Sequence, residues 1–157
     1  MSAGRPIQLP LGIKLRDEAT FASYYPGPNA GVLAATQAFA EPQSSIEECC
    51  LYLWGSEGTG RTHLLQAACH ALADVGGLAM YLPLDELVEE GPLLLEGMES
   101  VDLLCLDKLE AVAGRPDWEE ALFHLYNRLR EQGSRLLVAA VAAPRALGLQ
   151  LPDLASR

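Results

Sequence analysis

The sequence predicts a three-layer α/β domain, a parallel sheet flanked by helices, and three observations lead there. Short apolar runs alternate with helical patterns between residues 49 and 143, as expected of parallel strands joined by crossover helices. A glycine-rich turn, GSEGTGRTH at 55–63, stands between the first apolar run and the first long helical pattern. The third apolar run ends in a carboxylate, Asp107.

Residues 1–20 read as a flexible tail, with Pro6, Pro10 and Gly12 breaking any apolar pattern. Residues 21–157 then form one core domain, consistent with a chain of 157 residues. A helix is expected from Ala30 to Phe39, rich in alanine and closed by Pro42. CCLYLW (49–54) is a short apolar run before a glycine and suits a buried parallel strand. RTHLLQAACHALADV (61–75) carries Leu64, Leu65, Ala68, Leu72 and Val75 on one helical face, and Gly76-Gly77 ends it. LAMYLPL (78–84) and VDLLCLD (101–107) are the next strands, with two short helices between them, split at Gly91-Pro92. The clearest helix is DWEEALFHLYNRLREQG (117–133), with Asp117 as expected cap and Trp118, Leu122, Leu125 and Leu129 along one face. RLLVAAVAA (135–143) is the fourth strand.

Half of the residues are hydrophobic and 20% are charged, a composition that folds. With 21 acidic against 11 basic residues the net charge is −10. Such a surface repels a phosphate backbone, so no direct nucleic-acid binding is expected. No apolar run is long enough to span a membrane, and no apolar signal core opens the chain. A cytoplasmic protein without membrane contact is the expectation. The four cysteines, at 49, 50, 69 and 105, lack zinc spacing and read as reduced, small core residues.

Gly55, Gly60, Arg61 and Thr62 satisfy G-x-x-x-x-G-K-[ST] with arginine for lysine, and Gly58 and Thr59 lie inside the turn. Glycines let consecutive backbone N–H groups face inward around a phosphate, a cation meets the terminal phosphates, and the hydroxyl binds Mg²⁺. An ordinary glycine turn is the bland alternative; the strand before and the helix after favour the phosphate loop. Arginine's planar guanidinium is not equivalent to an ammonium, so binding is expected to survive the exchange better than catalysis. Asp107 is placed to hold Mg²⁺ together with Thr62, although an aspartate alone often just ends a strand. Hydrolysis next requires a carboxylate to orient water; the chain has Lys108 there, and Glu110 would substitute only with a shift in the backbone. His63, His70 and His124 read as ordinary helix residues, and Trp118 and Phe123 as core. QLPL at 8–11, taken alone, is more readily a chance pair of leucines in a tail.

The stretches ATFASYYPGPNAG, YLWGSEGTGRTHLLQAAC, YLPLDEL, LLCLDKLEAVAG, WEEALFHLYNRLREQG and LPDLASR together resemble the DnaA/Hda family of AAA+ P-loop proteins. Within that family they look most like its regulatory inactivators of replication initiation. The resemblance implies a sliding-clamp-binding peptide at Gln8, Leu9, Pro10 and Leu11. It implies a bound nucleotide, ADP or ATP with Mg²⁺, held by the loop and by Tyr25, Gly27 and Asn29. It also implies that Arg157 is an arginine finger projected into the ATP site of a neighbouring DnaA. The partners implied are therefore the DNA polymerase III sliding clamp and DnaA, with self-association as a further expectation. Two departures stand out. Val141 occupies a position where relatives carry aspartate, and the family's C-terminal helical lid lies beyond Arg157, so the core is expected to lack it. A nucleotide-binding adaptor with little hydrolysis of its own is the expectation. A self-sufficient AAA+ ATPase, a helicase loader or an initiator fragment is the alternative.

Overall fold

The computed structural model describes residues 17–24, 30–41, 50–55, 60–143 and 146. The expected tail peptide Gln8–Leu11, the loop residues Gly58 and Thr59, the segment Tyr25, Gly27 and Asn29, and Arg157 lie outside the described residues.

The order of elements is α1 (Ala30–Phe39), β1 (Cys50–Trp54), α2 (Arg61–Asp74), β2 (Ala79–Pro83), α3 (Leu84–Leu87), β3 (Leu103–Asp107), α4 (Pro116–Gln132) and β4 (Arg135–Ala140). Of the stretch expected as two short helices, α3 alone is α-helical; 3₁₀ turns follow it at Val88–Glu90, Pro92–Leu95 and Met98–Ser100, and another follows β3 at Leu109–Ala111. The strands form one parallel sheet in the order β1-β4-β3-β2. Leu51 lies beside Leu137, Cys105 beside Leu137 on the other side, and Pro83 beside Asp107. The carboxyl ends of all four strands therefore share one rim, and open parallel sheets bind ligands outside that rim.

Strands β2 and β3 are buried at every residue, as near-continuous apolar runs covered on both faces should be. Cys105 meets Cys69 of α2, with the sulfurs 3.6 Å apart. Alternation then turns Leu104 and Leu106 to the opposite face. Helix α2 packs on β2, β3 and β4, whereas α4 packs on β4 and on the turns at 92–95 and 98–100. Trp118, Leu122, Leu125 and Leu129 are the buried stripe of α4. Trp118, 1% exposed, is the largest of these, and its loss to alanine should cost about 3–5 kcal/mol. Phe123 is only half-buried, its ring near that of His124.

Three local expectations are corrected. Asp117 does not cap α4: Pro116 takes the first helical position, so the helix begins one residue earlier and Arg115 is the N-cap. Asp117 instead accepts from the Trp118 N–H at 2.8 Å, while buried Glu119 reaches back to the Gly114 N–H at 2.6 Å. Val75 is not on the buried face of α2 but caps its end and is 62% exposed. Strand β1 is less buried than expected, with Cys50, Leu51 and Tyr52 half-covered and Trp54 60% exposed. The reason is position: among the described residues β1 pairs only with β4 and forms a sheet edge.

Candidate functional site

The site is assembled at the shared rim, beginning with the turn after β1. The Gly55 N–H donates to the Ala140 carbonyl at 3.3 Å, joining the start of the loop to the end of β4. Gly60 ends the loop with φ +84°, a left-handed conformation, and is the N-cap of α2. A side chain there would meet Tyr24, whose Cε1 lies 2.6 Å from an added Cβ. Glycine is thus required twice, by backbone conformation and by the aromatic ring packed on it. Helix α2 starts at this loop, and the N–H groups of a helix's first turn have no partner within the helix, a natural seat for an anion.

His63 ties the segment before α1 to this helix. Its Nε2 is 2.7 Å from the Thr20 carbonyl and 3.2 Å from Ser23 Oγ, and its ring lies 5.4 Å from that of Tyr24. This histidine, read from sequence as an ordinary helix residue, anchors the chain that packs on Gly60.

Arg61 does not extend freely. Its Nη1 donates to the Ala140 carbonyl, the acceptor that also takes Gly55 N–H, while its Nε is buried and has no hydrogen-bond partner among the described residues. Thr62 Oγ1 donates to Asp107 Oδ2 at 2.7 Å, so the two residues expected to share a cation are in contact. Asp107 is 2% exposed. The Tyr81 hydroxyl donates to the same Oδ2, also at 2.7 Å. Burial first, and then the Asp107 charge, push the Tyr81 phenol far above its ordinary range, so it keeps its proton.

Lys108 follows Asp107 with φ +60°, the one non-glycine residue in the left-handed region among the described residues. Such conformations gather at functional sites. The kink and the 3₁₀ turn after it supply the backbone shift that Glu110 needs to come near the loop. Glu110 Oε1 accepts from the Val141 N–H at 3.1 Å, tying this turn to the end of β4. A cavity of about 480 Å³ opens there, lined by Gly60, Arg61, Thr62, Asp85, Asp107, Lys108, Glu110, Ala111 and Val141. The volume lies within the range of small-molecule sites.

Of the expected site residues, the structure brings Gly60, Arg61, Thr62 and Asp107 to one cavity, with Gly55 bonded to the adjoining end of β4. Tyr81, which reaches the site only through its bond to Asp107, and Glu110, which lines the cavity, were not expected there. A tyrosine inside a fully apolar strand was the available signal for the first, since a buried phenol needs a partner. The second depends on the conformation of Lys108, which nothing in the local sequence announces.

The donor set fits a nucleotide phosphate. A guanidine N–H without a partner among the described residues and the α2 amides can meet oxyanions, and the Thr62–Asp107 pair suits Mg²⁺, a hard cation that prefers oxygen ligands. Fold and site together define a P-loop domain of the AAA+ class. The family model described as the bacterial DnaA ATPase domain matches residues 15–157, and the chain belongs to that family.

Solved structures agree. A structure described as a DNA replication initiation factor is 26% identical with a TM-score of 0.78, over 90% of this chain and 47% of that one. DnaA from Aquifex aeolicus, bound to AMPPCP, is 25% identical with a TM-score of 0.77, over 90% of this chain and 48% of its own. The DnaC helicase loader, at 21% identity and a TM-score of 0.63 over 88% of this chain and 86% of that one, shares the fold. The chain spans about half the length of the first two of these proteins. No helix among the described residues is long and apolar enough to cross a membrane.

Proposed function

We propose that this chain is a nucleotide-holding adaptor of the DnaA family, one that acts on DnaA and hydrolyses little nucleotide itself. The carrying observation is the state of the rim: the Thr62–Asp107 pair is intact, while the next position holds Lys108 in a left-handed turn. Cation and phosphate binding are thus provided for, but the residue after Asp107 offers a positive charge where hydrolysis needs a carboxylate. ADP, with Mg²⁺ at Thr62 and Asp107, is the proposed resting ligand. Arg61 supports this division of labour, since a guanidinium bonded to Ala140 is less available to a γ-phosphate than a lysine would be.

On this reading the peptide Gln8–Leu11 engages the sliding clamp, and Arg157 enters the ATP site of DnaA to stabilise charge developing during hydrolysis. Arginine supplied in trans raises hydrolysis by about 10³–10⁵ in GTPase systems. The net charge of −10 favours a route to DNA through the clamp over direct contact. The test is DnaA-bound ATP turnover in the presence of clamp-loaded DNA. Arg157→Ala should keep nucleotide and clamp binding and lose the stimulation; an alanine variant that stimulates at the full rate refutes the finger role.

One observation favours the alternative of a self-sufficient ATPase: Glu110 lines the same cavity as Thr62 and Asp107. If its carboxylate orients water, the purified protein turns over ATP by itself, and Glu110→Gln abolishes that turnover while nucleotide stays bound. Absence of turnover in the unaltered protein decides for the adaptor.

A further inference from the structure

We propose that Tyr81 is a positioning residue for the cation half of the site, a role that rests on the nucleotide reading above. Three side chains form a polar group at the cavity wall. Thr62 is on α2, Tyr81 on β2 and Asp107 on β3. Tyr81 and Thr62 each donate to Asp107 Oδ2 at 2.7 Å. Tyr81 and Asp107 are 4% and 2% exposed, so water does not readily replace the bond between them.

The geometry has a chemical consequence. A hydroxyl has one proton, and that of Thr62 is committed to Asp107, which leaves its lone pairs for a cation in the cavity. The direction of those lone pairs depends on where Oδ2 sits. Donors arriving at one oxygen from two different elements, α2 and β2, hold the carboxylate between them. Without the phenol, a buried carboxylate with one donor fewer is free to rotate about its χ2 and to release Thr62. Tyr81 does not line the cavity, so it has no contact through which to affect the nucleotide itself. Outer residues that orient the groups around a metal change its affinity by about 10–100-fold when removed.

The experiment measures binding of a fluorescent ADP analogue to the unaltered protein and to Tyr81→Phe, in EDTA and across a Mg²⁺ titration. In EDTA the two proteins should bind alike. The Mg²⁺ concentration for half-maximal enhancement should rise roughly tenfold in Tyr81→Phe. A cooperative thermal transition shows that the variant is folded. Should it not fold, 3-fluorotyrosine placed at position 81 gives the same answer without removing the phenol: its ¹⁹F signal should move when Mg²⁺ joins the ADP complex and stay in place when ADP is added alone. An unchanged Mg²⁺ requirement in Tyr81→Phe, equal loss of binding with and without Mg²⁺, or a ¹⁹F signal indifferent to Mg²⁺ overturns the role of Tyr81 alone. Unaltered protein that binds no nucleotide under any of these conditions overturns the nucleotide reading, and the role with it.

Discussion

Replacing Gly60 by alanine probes the contact between the loop and the segment that precedes α1. Two costs add. The residue sits at φ +84°, where an L side chain costs about 1–2 kcal/mol. The new Cβ would lie 2.6 Å from Tyr24 Cε1 and 3.4 Å from its Cζ and hydroxyl. Tyr24 is 9% exposed and packed beside His63, so the ring cannot simply swing away. Overpacking of this kind costs about 1–3 kcal/mol. The total, about 2–5 kcal/mol, is a large part of the roughly 5–15 kcal/mol that stabilises a typical domain. Urea denaturation of four proteins separates the two costs: unaltered, Gly60→Ala, Tyr24→Ala and the double variant. In the double variant the clash is gone and the backbone cost remains, so Tyr24→Ala should be less damaging beside Gly60→Ala than alone, by the size of the clash. Nucleotide binding should weaken in both Gly60→Ala proteins, because the end of the loop relies on a left-handed φ that an L side chain resists. Additive effects on stability, or Gly60→Ala with the stability and nucleotide affinity of the unaltered protein, would refute the reasoning.

Cys69 and Cys105 are fully buried, and burial raises the Cys105 thiol well above its usual value, whereas Cys50 is half-exposed. Alkylation of the native protein at pH 8 should label Cys50 long before Cys105, and peptide mass spectrometry that finds equal rates would contradict this packing. Tyr81 and Tyr52 both hold their protons in the fold, chiefly through burial, whereas unfolded tyrosine ionises near pH 10. A folded pKa raised above the unfolded value gives stability that is complete below about pH 10 and lost as pH rises beyond it. Denaturation midpoints should therefore fall on the alkaline side, and less steeply in Tyr81→Phe; equal slopes would show that the phenol is not sequestered.

Most of the architecture was legible because its signals are local. Helix α1 was expected and found at Ala30–Phe39, and the Gly133 that ends α4 was placed from its glycine alone. The strands could be recognised from short apolar runs, and the loop from glycines at the right spacing between a strand and a helix. Boundaries moved where a single residue had a stronger claim than the pattern, as Pro116 did at the start of α4. The low burial of β1 was invisible, since CCLYLW states its hydrophobicity and not its neighbours.

By itself the sequence determined the class of domain, the loop with its Gly60, Arg61 and Thr62, the carboxylate at Asp107, and the missing acidic residue at Lys108. These follow from residue type and spacing, which chain chemistry reads directly. Only the tertiary structure decided that Arg61 leans on the Ala140 carbonyl, that Tyr81 and Thr62 share one oxygen of Asp107, and that Glu110 turns toward the cavity. Each of those contacts joins elements 26 to 79 residues apart, or depends on the backbone turn at Lys108. The partner of a buried polar group is set by which strand lies beside which, and in a sheet ordered β1-β4-β3-β2 that adjacency departs from the order of the chain.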